Sequence, residues 1–356
     1  MTLIDAPNKT IHLESILEAA RKKIQVRDEE LREARARRDA IRRALRNEFP
    51  GSRTYVNGSI AHGDALTPLT DVDLGVVIPD PEGIYGPGKI GPTGLEERAA
   101  DAIRVALKPD YGDLAVEVKG RKRSILIRFR DPVAPGQPDF TADVIVAIDN
   151  PAGDGLFIPR YTSWDRSHPE AHTVMVLAAV ENTDVMYART VRLLKHWNRR
   201  NDNPLCSWNI KALALYSITS PVSLLEGLQL WFAYAADQLN KGETADPAGV
   251  ASHPIKLNEK WSRTDVVRKL RHSLQVLEFA IQLAKDGYEI LAQDELANLF
   301  SDESMLPHPP TSAVLKEQAA RTTDQKIKAS AALGSPALIT STDSPRERVN
   351  VRSWAA

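Results

Sequence analysis

The sequence predicts an α+β protein, a mixed-sheet lobe followed by a helical lobe, and three observations carry that expectation. Short β-branched runs at Thr54–Val56 and Val72–Ile78, bounded by Gly, Pro and Asp, read as buried strands of one small sheet. From about Trp164 the apolar spacing changes to the helical period, with segments at Val174–Glu181, Tyr187–Arg199, Ile210–Ser217, Ser223–Asn240 and Asp265–Phe300. A chain of 356 residues, 42% hydrophobic and 26% charged, can bury enough surface for two lobes rather than one.

Residues 1–49 carry a long amphipathic helix over about Leu13–Phe49, in which Leu13, Leu17, Ile24, Leu31, Ile41 and Leu45 fall near helical spacing. Its other face is dense in charge, including Glu29, Arg32, Glu33, Arg35, Arg37 and Arg38. Such a face is either solvated or that of a coiled-coil partner helix. Residues 50–160 form the sheet lobe. A short helix capped by Ser59 follows the first strand, and Pro79–Gly94 is a Gly/Pro-rich loop leading into a helix over about Leu95–Leu107. Further strands are expected at Leu114–Val118, Ser124–Phe129 and in the apolar run ending at Ile148. Residues 161–310 form the helical lobe. Residues 311–356, rich in Ala, Ser, Thr and charge, read as a flexible tail with a weak helix over about Ser312–Ala332 and Trp354 as a docking point.

The residues that carry chemistry lie in the sheet lobe. Gly58 lets the chain approach an anion without interference from a Cβ, and Ser59 opens a helix whose first N–H groups point outward, so the turn suits a phosphate. A dozen residues on, Asp71 and Asp73 stand two apart on a strand, so both leave one face while Val72 enters the core. Two carboxylates on one face repel unless a cation lies between them. All-oxygen sites of this kind suit Mg²⁺ or Mn²⁺, and two such ions about 3.5–4 Å apart clamp the attacking and leaving oxygens of a phosphoryl displacement. A third carboxylate is then needed. Asp143, which precedes an apolar strand just as Asp73 does, is preferred over Asp139 in the turn before it.

Gly-Ser, then Asp-x-Asp, then a distant Asp on another strand resembles the DNA polymerase β-like nucleotidyltransferase superfamily. Trp164-Asp-Arg-Ser-His168-Pro169, Val191-Arg-Leu-Leu-Lys195 and Pro204-Leu-Cys-Ser207-Trp208 narrow the resemblance to the CD-NTases, bacterial relatives of cyclic GMP-AMP synthase and oligoadenylate synthase, over about residues 13–308. The resemblance implies that the N-terminal helix braces both lobes. It also implies that Asp71, Asp73 and Asp143 hold two Mg²⁺ or Mn²⁺ ions. Gly58, Ser59, Lys195 and Ser207 would contact the triphosphate and Trp208 would stack on a base. The implied substrates are nucleoside triphosphates, ATP among them, and the implied product is a cyclic di- or trinucleotide for anti-phage signalling, with a regulatory protein engaging the C-terminal tail. Other purposes for the same acids are nucleotide transfer to tRNA, a protein or an antibiotic, and an inactive nucleotide-binding scaffold is a third reading. Arg192, Lys195 and Arg199 are also spaced as a solvated basic helix face, and Trp208 as a core residue. One departure stands out: Asp64 follows Gly63 where many members carry threonine, and an inward-pointing Asp64 would oppose a bound phosphate.

Composition narrows the field further. A net charge of −1 supplies no global field for nucleic acid. The one cysteine, Cys206, excludes an internal disulfide framework and the thiolates of a zinc ribbon. The absence of a long apolar run or a secretion signal points to the cytoplasm. His168 and His172 have the spacing of a helical metal pair, but Pro169 marks a helix start between them, so they are expected to cap or pack that helix.

Overall fold

Apolar periodicity in the N-terminal segment builds two helices, not one. The computed structural model describes residues 10–133 and 136–332, in two units divided between His308 and Pro309. Helix α1 spans Ile11–Lys23 and α2 spans Asp28–Glu48. The expected continuous helix is broken at residues 24–27, where no Gly or Pro stands. Partners distant in sequence make the break. Thr67 N–H donates to Ile24 O at 3.0 Å, and Gln25 pairs with Leu66 as an isolated bridge. Arg27 then takes an extended N-cap conformation, and the buried Glu30 carboxylate accepts from Arg27 N (2.8 Å), Thr67 Oγ1 (3.0 Å) and Leu69 N (3.2 Å). The loop that leads to Asp71 is thus fastened to the start of α2.

The sheet follows. Its first half is β1 (Arg53–Asn57), α3 (Gly58–Ala61), β2 (Asp71–Ile78) and α4 (Thr93–Leu107). Then come β3 (Ala115–Glu117), β4 (Ile125–Arg128), β5 (Thr141–Asp149), β6 (Leu156–Arg160) and β7 (Ser163–Ser167). Strand order is β1-β2-β5-β4-β3, with β6 pairing the end of β5 and β7 pairing β6. Only β2 and β5 run parallel; the other pairs are antiparallel. Val72, Leu74 and Val76 of β2 and Ala142, Val144 and Val146 of β5 enter one core beneath the sheet with Ile41 and Leu45 of α2 and Ile103 of α4. Each such Val, Leu or Ile side chain contributes about 1.5–3 kcal/mol of burial. The β6–β7 hairpin corrects the expectation that helix begins near Trp164, which lies on β7 and donates its indole N–H to Tyr85 O at 2.6 Å. That bond ties the Pro79–Gly94 loop to the sheet.

Six helices complete the first unit: α5 (Pro169–Asn182), α6 (Met186–Arg200), α7 (Ser207–Ser217), α8 (Leu224–Lys241), α9 (Arg263–Asp286) and α10 (Glu289–Phe300). The stretch expected as one helix over Asp265–Phe300 is divided by Gly287, whose φ of +92° is a left-handed helix stop that favours glycine. Trp197, Trp231 and Phe232 meet edge to face at the core of this lobe, all fully buried. In the second unit, α11 covers Thr311–Ala332. Trp354 lies outside the described residues.

The two N-terminal helices divide the work of bracing. Helix α1 packs on α6, α8 and α10, and its Glu14 carboxylate caps α8 by accepting from Leu224 N (2.6 Å) and Leu225 N (3.0 Å). Helix α2 packs on α4 and β2. Arg37, expected on the charged outer face of the N-terminal helix, is instead buried, its guanidinium 4.8–5.4 Å from the rings of Tyr111, Phe129 and Phe140. It donates to Asp131 O, Asp131 Oδ2 and Glu33 Oε1, so a cation enclosed by aromatics and carboxylates pins α2 to the sheet lobe.

Candidate active site

Strand alternation delivers the acids. With Val72 and Leu74 in the core, Asp71 and Asp73 leave the opposite face of β2, both half-buried. The parallel register sets Asp71 beside Thr141 and Asp73 beside Asp143. In-register neighbours on adjacent strands share a face, so the three aspartates stand on one side of the sheet. Their proximity is written in the chemistry of Asp73, whose carboxyl is pushed up to about 6 by burial first and then by the charges of Asp71 and Asp143.

Gly58 meets this face directly. It has φ +78°, and a Cβ there would lie 1.7 Å from Asp73 Oδ2, so only glycine lets the turn rest against the carboxylate. The helix cap differs from expectation. Asn57, not Ser59, is the N-cap of α3, and its Oδ1 accepts the Gly58 N–H at 2.7 Å. The Gly58 amide is therefore engaged within the turn, and Ser59 is the member of the pair with a side chain on the cleft.

Asp143 is held on its own oxygen. Arg121 Nη2 donates to Asp143 Oδ1 at 3.0 Å and Ser124 Oγ donates to the same atom at 2.6 Å. Among the described residues, no group of three or more His, Cys, Asp or Glu side chains is gathered closely enough to hold a metal ion as it stands. The donor set nonetheless fits Mg²⁺ or Mn²⁺ in kind: three carboxylates, all oxygen, on one face, one of them disfavoured as an anion by burial and then by its two neighbours.

Opposite the acids, three helical-lobe and loop residues form a buried charge cluster. Asp64 has no exposed surface; Lys195 of α6 reaches its Oδ1 at 2.8 Å and its backbone O at 3.0 Å, and Lys211 of α7 reaches Oδ2 at 2.9 Å. Burial alone would raise the Asp64 carboxyl, but Lys211 and Lys195 outweigh it and hold it low. Burial lowers Lys211 against the pull of Asp64. Lys211 also approaches His62 Nδ1 at 2.8 Å, and burial followed by the Lys211 charge pushes His62 down to about 3, leaving a neutral imidazole. The inward Asp64 does not face a bare phosphate loop; it is the counter-ion of two lysines. Arg192, another member of the expected basic face, is buried and donates to Ala65 O (3.1 Å) and Gly63 O, holding the same loop.

A cleft of about 530 Å³ lies between the sheet face and the helical lobe, and His62 and Lys211 are on its wall. Gly58, Ser59, Asp71, Asp73, Lys195, Ser207 and Trp208 line it; Asp143, alone of the sequence-predicted site residues, does not. Ser207 opens α7 exposed to the cleft, and Trp208 is half-buried with its ring 4.4 Å from that of His172. His172 in turn bonds Asp246 Oδ1 at 2.6 Å, and His168 caps α5 by accepting from Ala171 N at 3.3 Å, the packing roles expected of this pair. Sequence reading missed Lys211, although it lies one helical turn beyond Ser207 on the same face, a spacing that was available as a signal. It also missed Lys122, Arg123, Arg160 and Lys256, which add positive charge to the cleft lining from three segments.

No family model matches the sequence, and no curated protein matches it. Solved structures do. CdnC of E. coli MS115-1, solved with ATP, is 17% identical, with 82% of this chain and 98% of that one covered at a TM-score of 0.59. The CD-NTase CdnG of Bradyrhizobium diazoefficiens, solved with GTP, is 16% identical over 86% of this chain and 99% of that one, at 0.61. The Cid1 poly(U) polymerase, solved with MgGTP, is 16% identical over 76% and 95%, at 0.53. The chain has the fold of the CD-NTases and of polymerase β-like nucleotidyltransferases, a mixed-sheet lobe joined to a helical lobe.

Proposed function

We propose that this protein is a metal-dependent nucleotidyltransferase of the CD-NTase kind, joining nucleoside triphosphates, ATP among them, into a cyclic di- or trinucleotide second messenger with release of pyrophosphate. The observation that carries the reading is the register of β2 and β5, which sets Asp73 beside Asp143 and puts both on the face of Asp71, with Gly58 closed against Asp73.

Asp71, Asp73 and Asp143 would hold two Mg²⁺ or Mn²⁺ ions, which when bound neutralise phosphate charge and acidify the attacking ribose hydroxyl. Lys195 and Lys211 bring two positive charges to the triphosphate side, and Asp64 reduces them to a net of about one, so the cleft attracts a polyphosphate without trapping it. Ser59 and Ser207 offer hydroxyl donors from the two lobes, and Trp208 offers a flat face to a base. In the transfer the α-phosphorus gains a bond to the ribose oxygen and loses its bond to pyrophosphate, while the hydroxyl proton leaves to solvent. Repetition within the same cleft, with the linked product repositioned, closes the ring. Anti-phage signalling in the cytoplasm, with a regulatory protein at the C-terminal tail, belongs to the same reading. No described helix is long and apolar enough to cross a membrane.

The test is direct. Purified protein is incubated with Mg²⁺ or Mn²⁺ and all four labelled triphosphates, then treated with phosphatase. A resistant product that is absent with Asp73→Ala supports the reading. Label that appears only when tRNA or a small acceptor is added would move the assignment to a modifying transferase, and no turnover in any mixture would move it to a nucleotide-binding scaffold.

A further inference from the structure

The turn between β3 and β4 is the most cationic segment near the acids. Lys119, Arg121, Lys122 and Arg123 fall within five residues of it, around Gly120 at φ +80°. The turn is not free to drift. Arg121 N bonds Val118 O (3.1 Å), Tyr161 N bonds Lys122 O (2.8 Å), and Arg123 Nη2 bonds the buried Asp165 at 2.7 Å. From this fixed base the Arg121 side chain, about one-third exposed, reaches Asp143 Oδ1 at 3.0 Å. Ser124 Oγ donates to the same oxygen at 2.6 Å.

We infer that Arg121 is a positioning residue that latches Asp143, its guanidinium competing with a divalent cation for the third aspartate. The inference rests on the reading of Asp143 as a metal ligand. A carboxylate oxygen that already accepts from a guanidinium and a hydroxyl has little capacity left for a metal ion, and a guanidinium against that oxygen repels a second cation there. The latch accounts for two features of the site together. Asp143 stands beside Asp73 in the β2–β5 register, yet it does not line the cleft, and among the described residues it joins no ready-made cage with the other acids. An ion that takes Asp143 Oδ1 therefore requires Arg121 to turn away, and one that takes the other oxygen, Oδ2, binds against the nearby guanidinium charge. Arg121 is long and partly exposed, and only its side chain needs to move, since the turn is tied to the β6–β7 hairpin through the Lys122 carbonyl and to Asp165 through the Arg123 side chain. Arg123, whose partner Asp165 is buried and is not one of the three acids, has no such role.

The test uses the full chain without nucleotide and reads Mn²⁺ binding from the signal of free Mn²⁺ by electron paramagnetic resonance. Arg121→Gln removes the competing charge and is expected to tighten Mn²⁺ binding about tenfold, the equivalent of one charge-assisted hydrogen bond. Arg121→Lys, which keeps the charge but loses the planar fork, should fall between. Asp143→Asn should weaken binding, and it should abolish the gain when combined with Arg121→Gln. A structural role for Arg121 would move affinity the other way, because a loosened turn weakens the site. Unchanged or weaker binding in Arg121→Gln, with Asp143→Asn still weakening it, overturns the latch while the metal reading of Asp143 stands. Binding indifferent to Asp143→Asn overturns both.

Discussion

Replacing Asp64 with alanine strands two buried ammonium groups, and the cost follows from the geometry. Asp64 has no exposed surface and sits 2.8 Å from Lys195 and 2.9 Å from Lys211. At an effective dielectric of about 20, each contact is worth roughly 6 kcal/mol of gross attraction, most of which offsets the desolvation of three charges. Removing one partner of such a cluster leaves the desolvation uncompensated and is expected to cost about 3–5 kcal/mol. At roughly 2–3 °C per kcal/mol for a chain of this size, the melting temperature should fall by about 6–15 °C. The loss should also depend on pH. Burial already lowers Lys211 against the pull of Asp64, and without Asp64 that pull is gone, so the folded state binds fewer protons than the unfolded one and the deficit shrinks as pH rises from 7 toward 10. Thermal melts of the full chain by circular dichroism at pH 7 and pH 9 measure both. A loss under about 1 kcal/mol, or one indifferent to pH, would refute the buried cluster and with it the role given to Asp64.

Three further outcomes are expected. Gly58→Ala places a Cβ 1.7 Å from Asp73 Oδ2 and 2.9 Å from Asp73 Cβ at a φ of +78°, so rotating the carboxylate does not relieve the clash and the turn must shift; melting should fall and turnover should drop to the level of Asp73→Asn, and more than a tenth of wild-type turnover contradicts the close approach. Trp208→Ala should raise KM for the triphosphates by about 5- to 150-fold, the range of about 1–3 kcal/mol for base stacking, with kcat little changed and Trp208→Phe recovering part of the loss; equal falls in kcat from both would place Trp208 in packing instead. His62 stays neutral down to about 3 in the folded chain while its unfolded value is 6.5, so its contribution is complete above 6.5 and drains away as pH falls below it. At pH 5 that loss is about 2 kcal/mol, and His62→Gln should flatten the pH dependence of urea unfolding by that amount, or the imidazole is not neutral.

The shared face of the three aspartates was legible in the sequence because it depends on short-range rules. Two aspartates with a valine between them must share a strand face, and an acid at the start of a second buried strand can join them once the strands pair. Pairing in the right register was an expectation that chain pattern could suggest and the β2–β5 ladder supplies. Features set by distant partners were not legible. The N-terminal helix breaks where Thr67 and Leu66 bind Ile24 and Gln25, and its apolar pattern runs through the break because each half still has a core to face. Arg37 read as a surface charge because its three aromatic neighbours and Asp131 lie on other elements. Asp64 read as a defect because its counter-ion Lys195 lies 131 residues away. Gly287 is the reverse case: a helix stop was present in the sequence and the continuing periodicity of α10 outvoted it.

Crystals of the protein grown with a non-hydrolysable nucleoside triphosphate and Mn²⁺, with anomalous scattering collected to place the metal, address the catalytic reading most directly. Two manganese peaks bridging Asp71, Asp73 and Asp143, with the triphosphate running toward Lys195 and Lys211, are the expected result. Manganese bound away from these carboxylates, or a triphosphate seated elsewhere in the cleft, would contradict it.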